Sequence, residues 1–476
     1  MMKLTEIRKA ERAKTLRSRT ILWVSLAVVL LLIPSFLWGI EAVAGLKASF
    51  VITVMTSACI ASVFALSYNM LLGQTGMLSF GHAIYLGLGG YFVMHMMNIL
   101  AYGYVPVVIM PLLGGLFGLL FGVIFGSFST RRAGTVFAMI TLGLGELVGA
   151  SSHVITSFFG GEDGIGAYRT RLLSLNFPMV DLKSFEFFWF EFNLAQEIQV
   201  YYFSAIWFFI ATFLMFWYSR TPVGRMSNAV RDNEERTEFV GYNMRYVRYM
   251  SFIASAGFAG LAGGMMAVNL EHFTESVMNA VASGQVLLHA YIGGAIFFIG
   301  PIVGAFVITL LTDLTSGYTA LSPLYLGLLF IAVVLFIPYG LTGIIVMHRK
   351  AWVTGKIVRL IPAYVLMLIP LSVAFVGFVG FVETEHFLHE AATGEVMTKV
   401  FFYEYNALPE YSFLPQWLSH WVPRLFFFGL VVIGAIGAYL CRGIVFATWE
   451  SVNGAPEGSK KDSSKKSDQI GEKAAV

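Results

Sequence analysis

Long apolar runs alternate along the chain with short polar intervals. A bilayer core requires about 20 apolar residues per helical span, and the chain offers roughly ten to twelve runs of suitable length. The pattern therefore predicts an all-α, polytopic transmembrane helical bundle. The predicted spans are residues 20–38, 48–68, 83–100, 105–128, 135–158, 201–218, 249–268, 281–298, 301–314, 324–347, 360–382 and 423–446.

Two glycine-rich stretches interrupt this pattern, at residues 73–82 and 293–305. Non-helical backbone at membrane depth is tolerated only where protein or a water-filled cavity satisfies its polar groups, so such breaks often line transport paths. We expect broken or re-entrant helices at both places. Residues 281–314 form either two short spans or one re-entrant hairpin.

Other glycines form a regular stripe. Gly114, Gly118, Gly122 and Gly126 recur at every fourth residue, which places them on one face of one helix. Missing side chains on a helix face allow a neighbouring helix to approach closely. This stripe therefore predicts tight helix packing. The pair Gly260 and Gly264, in the helix after the arginine-rich loop, predicts the same.

Composition and charge fix the class and the orientation. The chain is 57% hydrophobic and 12% charged, which excludes a water-soluble fold. Lys and Arg concentrate before the first span, at 131–132, 220–248, 349–359 and 460–473, so these segments and both termini are expected in the cytoplasm. A secretory signal peptide is the alternative for the first apolar run, because Ala42-Val43-Ala44 follows it.

The interval 219–248 is the longest charged segment between two predicted spans, with six arginines and four carboxylates. Residues 228–239 lack Pro and Gly, and i,i+4 pairs of Arg231 with Glu235 and of Asp232 with Arg236 favour one short exposed helix. Gly241 is expected to end it at a positive φ. The alternative is a solvated loop that only follows the distribution of positive charge.

Few residues carry candidate chemistry. No P-loop motif is visible, nor is a metal-ligand cluster or a nucleophile–base set, so no catalytic or metal site is predicted. An ionisable or polar group inside a membrane is a functional candidate, although neighbouring helices can also satisfy it. The candidates for lining a translocation path are Gln74, Thr75, Ser79, His82 and Glu146.

The chain resembles the permease subunit of the high-affinity branched-chain amino acid ABC transporters, specifically the larger of the two permease types. The resemblance covers residues 48–343. It rests on motifs in family order at residues 73–82, 141–146, 160–165, 224–225, 231–234, 258–263, 300–305 and 338–341, and on the E-x5-G spacing of Glu235 and Gly241. The chain departs from the family pattern at five positions, which suggests a divergent subgroup. They are Arg236, Thr237, Ile296, Phe297 and Tyr339.

The resemblance implies a bacterial inner-membrane subunit that binds no cofactor itself. Its implied partners are a second permease subunit, two cytoplasmic ATPase subunits that bind ATP, an extracytoplasmic binding protein and the lipid bilayer, with no nucleic acid. Helix N-termini near residues 73–81 would then meet a substrate carboxylate. The residues implied to couple the permease to its ATPases are Arg231, Asp232, Asn233, Glu234, Glu235 and Gly241.

The implied domains are a basic cytoplasmic N-terminus (1–19), an anchor (20–47) and a permease core (48–347). A two-span extension (348–446) with an outer segment (383–422), and a disordered cytoplasmic tail (447–476), lie beyond the core. Urea, short amides or aromatic acids stay open as substrates. A stand-alone secondary transporter would leave the charged loop unexplained, and an integral-membrane enzyme would need a catalytic set.

Overall fold

The fold is all-α, and apolar helices account for nearly all of its ordered elements. The computed structural model describes residues 23–34, 48–100, 107–168, 185–187, 190–192, 196–317, 319–393, 399–400, 403–404 and 421–453. The basic N-terminus, most of the outer segment after 393 and the tail after 453 lie outside the described residues.

The helices are, in chain order, α1 (Trp23–Pro34), α2 (Ala48–Thr75), α3 (Ala83–Leu100), α4 (Met110–Ser129), α5 (Thr135–Val154), α6 (Thr156–Phe159), α7 (Gln196–Arg220), α8 (Pro222–Asp232), α9 (Glu234–Phe239), α10 (Met244–Leu270), α11 (Ala280–Gly293), α12 (Gly300–Ser316), α13 (Ser322–Phe336), α14 (Gly340–Val353), α15 (Ile361–Thr393) and α16 (Trp421–Asn453).

Short antiparallel strand pairs join some of the connections between helices. They are β1 (Ile165–Gly166) with β4 (His272–Phe273), β2 (Phe185–Phe187) with β3 (Phe190–Phe192), and β5 (Lys399–Val400) with β6 (Tyr403–Glu404).

Within the described residues, seven helices are long and apolar enough to cross a membrane, or eight if α13 and α14 form one bent span. Three shorter apolar helices, Trp23–Pro34, Ala83–Ile99 and Gly300–Ser316, fall at other predicted spans. The predicted polytopic helical bundle is therefore confirmed. The last helix, α16, continues to Asn453, beyond the predicted end of that span at Phe446.

The glycine stripe on α4 packs directly against α10, as predicted. A Cβ atom at Gly118 would lie 2.5 Å from the carbonyl oxygen of Ala256, and one at Gly260 would lie 2.4 Å from that of Gly114. No side chain fits at such distances, so the two backbones are in van der Waals contact. This crossing lies in the main apolar core, together with α2 and α3.

The span predicted over residues 324–347 is bent in the structure. Helices α13 and α14 meet at a bend of 42°. Pro338 has no backbone N–H to continue the first helix, and Gly340 takes a φ of 67° that favours glycine. The motif at 338–341 therefore marks the bend between α13 and α14.

Residues 281–314 form two short helices joined by a turn. Helix α11 has 14 residues, so it measures about 21 Å and is shorter than the hydrocarbon core of about 30 Å. A Cβ at Gly293 would lie 1.9 Å from the carbonyl oxygen of Gly300, which shows how closely the helix ends approach. This geometry favours the re-entrant alternative over two complete spans.

The chain divides into two compact units. The first comprises residues 1–313 and 326–343, and the second comprises 314–325 and 344–476. In the second unit, α15 and α16 form a close antiparallel hairpin, in which a Cβ at Gly434 would lie 2.4 Å from the amide nitrogen of Ala374. The buried carboxylate of Glu383 accepts hydrogen bonds from Thr319 and Tyr325, at 2.7 and 2.8 Å.

We expect Gly260→Leu to destabilise the protein, because its side chain would force α4 and α10 apart. Overpacking of this kind typically costs about 1–3 kcal/mol. The melting temperature in detergent should fall by several degrees, measured by loss of the monodisperse elution peak after heating.

The matched control is Gly327→Leu on α13, since nothing lies within 4 Å of a Cβ at that position. Equal melting temperatures for the two variants would contradict a backbone-to-backbone crossing at Gly260.

Candidate functional site

One residue, Thr221, separates helix α8 from the end of the membrane helix α7. Thr221 caps α8 by accepting a hydrogen bond from the amide of Gly224, and Pro222 occupies its first turn. A Cβ at Gly224 would lie 2.4 Å from the carbonyl oxygen of Tyr218. Glycine at this position lets α8 turn sharply and stay against the end of α7.

One face of α8 is fixed to the membrane helices. Ser227 and Val230 are buried. The Ser227 and Ser251 hydroxyls are hydrogen-bonded at 2.7 Å, and the Tyr218 hydroxyl lies 3.3 Å from that of Ser251. These contacts connect α7, α8 and α10 through the hydroxyl of Ser251.

Arg231 links α8 to the end of α2. One terminal nitrogen of its guanidinium donates a hydrogen bond to the carbonyl oxygen of Gly73, while Nε and the other terminal nitrogen bond Asp232 at 3.0 and 2.9 Å. Gly73 lies in the last turn of α2, where carbonyl groups lack helical partners and carry partial negative charge. An arginine is therefore well suited to this position.

The prediction of one helix over 228–239 is wrong, because Asn233 breaks it. Its backbone is extended, with φ −161°, and its side chain caps α9 by accepting from the Arg236 amide at 2.9 Å. The i,i+4 pairs predicted for Arg231 and Asp232 require a continuous helix. Glu234 instead forms an ion pair with Arg248 of α10, whose side chain is largely buried.

Gly241 ends α9 as predicted, at a φ of 93°. Beside this turn lies an exposed apolar tip, which we define as Phe239, Val240 and Tyr242. Phe239 is 90% exposed. A contiguous exposed apolar patch is a candidate surface for a protein partner or for the membrane. Sequence reasoning missed this tip, although an aromatic residue at the end of a highly charged helix was a usable signal.

The break after α2 begins three residues later than predicted. Helix α2 continues through Thr75, and Gly76 ends it at a φ of 71°. The amides of Gly76 and Met77 bond the carbonyl oxygens of Leu72 and Leu71. Arg231 also packs here, since a Cβ at Gly76 would lie 3.1 Å from its Cγ.

His82 lies at the far end of this break, fully buried. Its Nε2 is 3.1 Å from the Ser67 hydroxyl, which itself donates to the carbonyl oxygen of Phe64 at 2.7 Å. The hydroxyl hydrogen is thus used, so Nε2 of His82 carries the proton and donates it to Ser67. In the neutral ring, Nδ1 is left as an acceptor.

Four of the five path candidates lie together at this break. Gln74 Oε1, Ser79 Oγ and His82 Nδ1 are buried without a hydrogen-bond partner in the described part of the chain. The Thr75 hydroxyl bonds the carbonyl oxygen of Leu71 in its own helix, at 2.6 Å. Unpaired buried polar atoms are uncommon, and each calls for an explanation such as a role in function.

The expected helix N-terminus is not open for a carboxylate. The amide of Ala83, at the start of α3, donates to the Ser283 hydroxyl at 3.1 Å, and those of Ile84 and Tyr85 donate to the carbonyl oxygens of Gly81 and His82. Since these three amides are already bonded, the first turn of α3 does not provide an anion site.

The three chain breaks of the first unit meet through glycines. A Cβ at Gly73 would lie 2.2 Å from the carbonyl oxygen of Ala295, and one at Gly294 would lie 2.4 Å from that of Tyr339. The end of α2 therefore touches the α11–α12 turn, which touches the α13–α14 turn. Arg231 is hydrogen-bonded to Gly73, where this series of contacts begins.

Glu146 is not part of the cluster at the break. It lies on an exposed face of α5, whose buried face includes Thr141 and Gly145. A Cβ at Gly81 would lie 2.0 Å from the carbonyl oxygen of Thr141. Helix α5 thus packs on the break while its carboxylate points away from the protein interior.

Comparisons with known proteins agree with this architecture. The permease component of the branched-chain amino acid transport system is the family whose model matches, over residues 50–338. The chain is 24% identical to the high-affinity branched-chain amino acid transport system permease protein LivM of Escherichia coli, over 61% of this chain and 69% of that protein. The protein of the same description from Salmonella typhimurium matches equally.

A probable branched-chain amino acid transport permease protein LivH of Methanocaldococcus jannaschii is 22% identical, over 59% of this chain and 88% of that protein. No solved structure matches. The family match, over 50–338, spans α2 through α13 and includes the break after α2, the charged helices α8 and α9, and the α11–α12 turn. The chain belongs to the family of branched-chain amino acid transport system permease components.

Proposed function

We propose that this chain is the translocation subunit of an ATP-driven importer for branched-chain or related amino acids in a bacterial inner membrane. It works with a second permease subunit, two cytoplasmic ATPase subunits and an extracytoplasmic binding protein. The observation that carries the proposal is the arrangement of α8 and α9. Their apolar tip is exposed for a partner, while Arg231 at their base is bonded to the break after α2.

In this mechanism the ATPase binds the apolar tip and the carboxylates around it. Asp232, Glu234, Glu235 and Gly241 shape this surface, and Asn233 fixes the angle between α8 and α9. A movement of the ATPase displaces α8, whose Arg231 then pulls on the carbonyl group of Gly73. The packed glycine breaks shift together, and the path beside Gln74, Ser79 and His82 opens to one side.

The chemistry at the break suits a substrate that donates hydrogen bonds. Gln74 Oε1 and His82 Nδ1 are acceptors, and the nearby N-terminal amides of α3 are occupied. An amino acid presents an ammonium group to such acceptors, and the relatives carry branched-chain amino acid transport in their names. Urea and short amides also donate N–H groups, so they are the competitors to test.

The experiment is to purify the complete complex and reconstitute it in proteoliposomes, with binding protein added only outside the vesicles. Uptake of labelled leucine, isoleucine and valine is then measured. Uptake should require external binding protein and ATP on the ATPase side, and excess urea should not compete. Uptake that continues without ATP would favour a stand-alone transporter and contradict the proposal.

Arg231→Ala should uncouple the complex, because it removes the bond between α8 and Gly73. A hydrogen bond to a charged group contributes about 1.5–3 kcal/mol, so we expect uptake to fall roughly tenfold or more while the ATPases remain bound. Uptake and ATP hydrolysis are measured on the same preparation.

Arg245→Ala is the control, an exposed arginine in the first turn of α10. If both variants transport like the wild type, Arg231 does not relay the movement.

Gly241→Asp should weaken coupling without unfolding the membrane domain. Nothing lies within 4 Å of a Cβ at Gly241, so the side chain fits, but a left-handed backbone costs an L-residue about 1–2 kcal/mol. The added charge also lies near Glu238, whose carbonyl oxygen bonds the Gly241 amide. We expect weaker retention of the ATPases on the purified permease and lower uptake.

Gly134→Asp provides the matched control, since Gly134 has a φ of 65° and equally open surroundings. Normal ATPase retention together with normal uptake in Gly241→Asp would contradict a coupling role for this turn.

A further inference from the structure

The exposed face of α5 has the spacing of a helix-pairing seam. Its members are separated by three, four, three and four residues, and all are exposed: Val136, Met139, Gly143, Glu146 and Ala150. We call this set the α5 seam. Alternation of three and four residues keeps one narrow stripe facing a partner helix, as in left-handed helix pairs.

The α5 seam differs from a face that contacts lipid. The exposed face of α4 carries large apolar side chains, namely Leu112, Leu116, Leu120, Val123, Ile124 and Phe128. The α5 seam begins with two large apolar side chains, Val136 and Met139, but continues with a glycine, a carboxylate and an alanine. Nothing lies within 4 Å of a Cβ at Gly143, so a second backbone has room to approach there.

The carboxylate of Glu146 makes lipid an unfavourable neighbour for the α5 seam. Glu146 lies eight residues before the end of α5 at Val154, about 12 Å along the axis, in a helix long and apolar enough to cross a membrane. The structure gives it no partner among the described residues. A charged side chain is unfavourable at the centre of a lipid-facing helix, so we expect a polar group to cover it.

We propose that the α5 seam is the surface on which the second permease subunit packs, through a helix that places a hydrogen-bond donor opposite Glu146. This inference rests on the proposed function, because it requires a second permease in the complex. It names the surface, the spacing and the chemistry of the partner. Small residues face Gly143, and a neutral hydrogen-bond donor faces the carboxylate of Glu146.

A second copy of this chain is a poor occupant. Two copies in one membrane have the same orientation, so a two-fold axis between them runs along the membrane normal. That axis would place Glu146 beside its equivalent at the same depth. Two carboxylates there repel each other in a medium of low dielectric constant, and the seam contributes no cation to separate them.

The test is photo-crosslinking of the full-length chain in membranes that contain the complete transporter. Leu147, which flanks the α5 seam, and Leu116 on α4 are each 60% exposed, so each is replaced in turn by p-benzoylphenylalanine. Irradiation should join the chain to the second permease from position 147 and not from position 116, with the adduct identified by mass spectrometry.

An adduct between two copies of this chain, or no protein adduct from position 147, overturns the surface alone, provided that the wild-type chain still co-purifies with the second permease. If the wild-type chain co-purifies with neither the second permease nor the ATPases, the proposed function is contradicted, and the proposed surface with it.

A pair of variants tests the donor opposite Glu146. Glu146→Gln keeps an acceptor oxygen and should retain the second permease within about twofold of wild type. Glu146→Leu leaves the facing donor buried and unpaired and should lower retention roughly tenfold. Lipid at this face gives the opposite result, because leucine would then be tolerated at least as well as the carboxylate. Equal retention by the two variants overturns the proposal.

Discussion

The need to satisfy backbone polar groups away from water is the constraint on which this structure depends. A continuous helix satisfies its own amides and carbonyls, but each break leaves several without helical partners. Here the ends of α2, α11 and α13 are brought together, with glycines at the points of contact. Arg231 supplies the donor for Gly73, so a charged helix outside the membrane helices completes the hydrogen bonding of a break within them.

This arrangement separates a rigid part from a part that can move. The crossing of α4 and α10 is locked by backbone contact along the glycine stripe, and it provides a fixed support. The breaks meet through close backbone contacts of Gly73 with Ala295 and of Gly294 with Tyr339. In the proposed mechanism, movement of α8 enters at Gly73 and not at the α4–α10 crossing, so it acts first on the breaks.

Local features of the site could be predicted from sequence because their causes are local. The four-residue period of the α4 glycines has few readings besides close packing, and Gly241 follows a charged helix where a positive φ is expected. The breaks at Asn233 and Pro338 also have local signals, a capping side chain before acidic residues and a proline followed two residues later by glycine. Those signals were outweighed by the apparent continuity of charge and hydropathy around them.

The contact of Arg231 with Gly73 has no such signal, since the two residues are 158 positions apart and nothing in either neighbourhood specifies the other. The same holds for Glu234 with Arg248, and for the occupation of the α3 amides by Ser283. Periodicity predicts which face of a helix is buried. It does not predict which element covers that face, because packing partners are selected by the whole fold.

In the proposed function, the unpaired atoms at the break are kept for transport at a cost in stability. Leaving a buried donor or acceptor without a partner costs about 1–3 kcal/mol, and Gln74, Ser79 and His82 each carry such an atom. A bundle held together only by loosely packed apolar helices would relax to pair them. The close α4–α10 crossing and the bonded turns around the break oppose that relaxation, so the polar groups stay available to a passing solute. Since each is a single acceptor or hydroxyl and not a charged pair, the proposed path would bind its solute weakly, which suits a subunit that releases its cargo on every cycle.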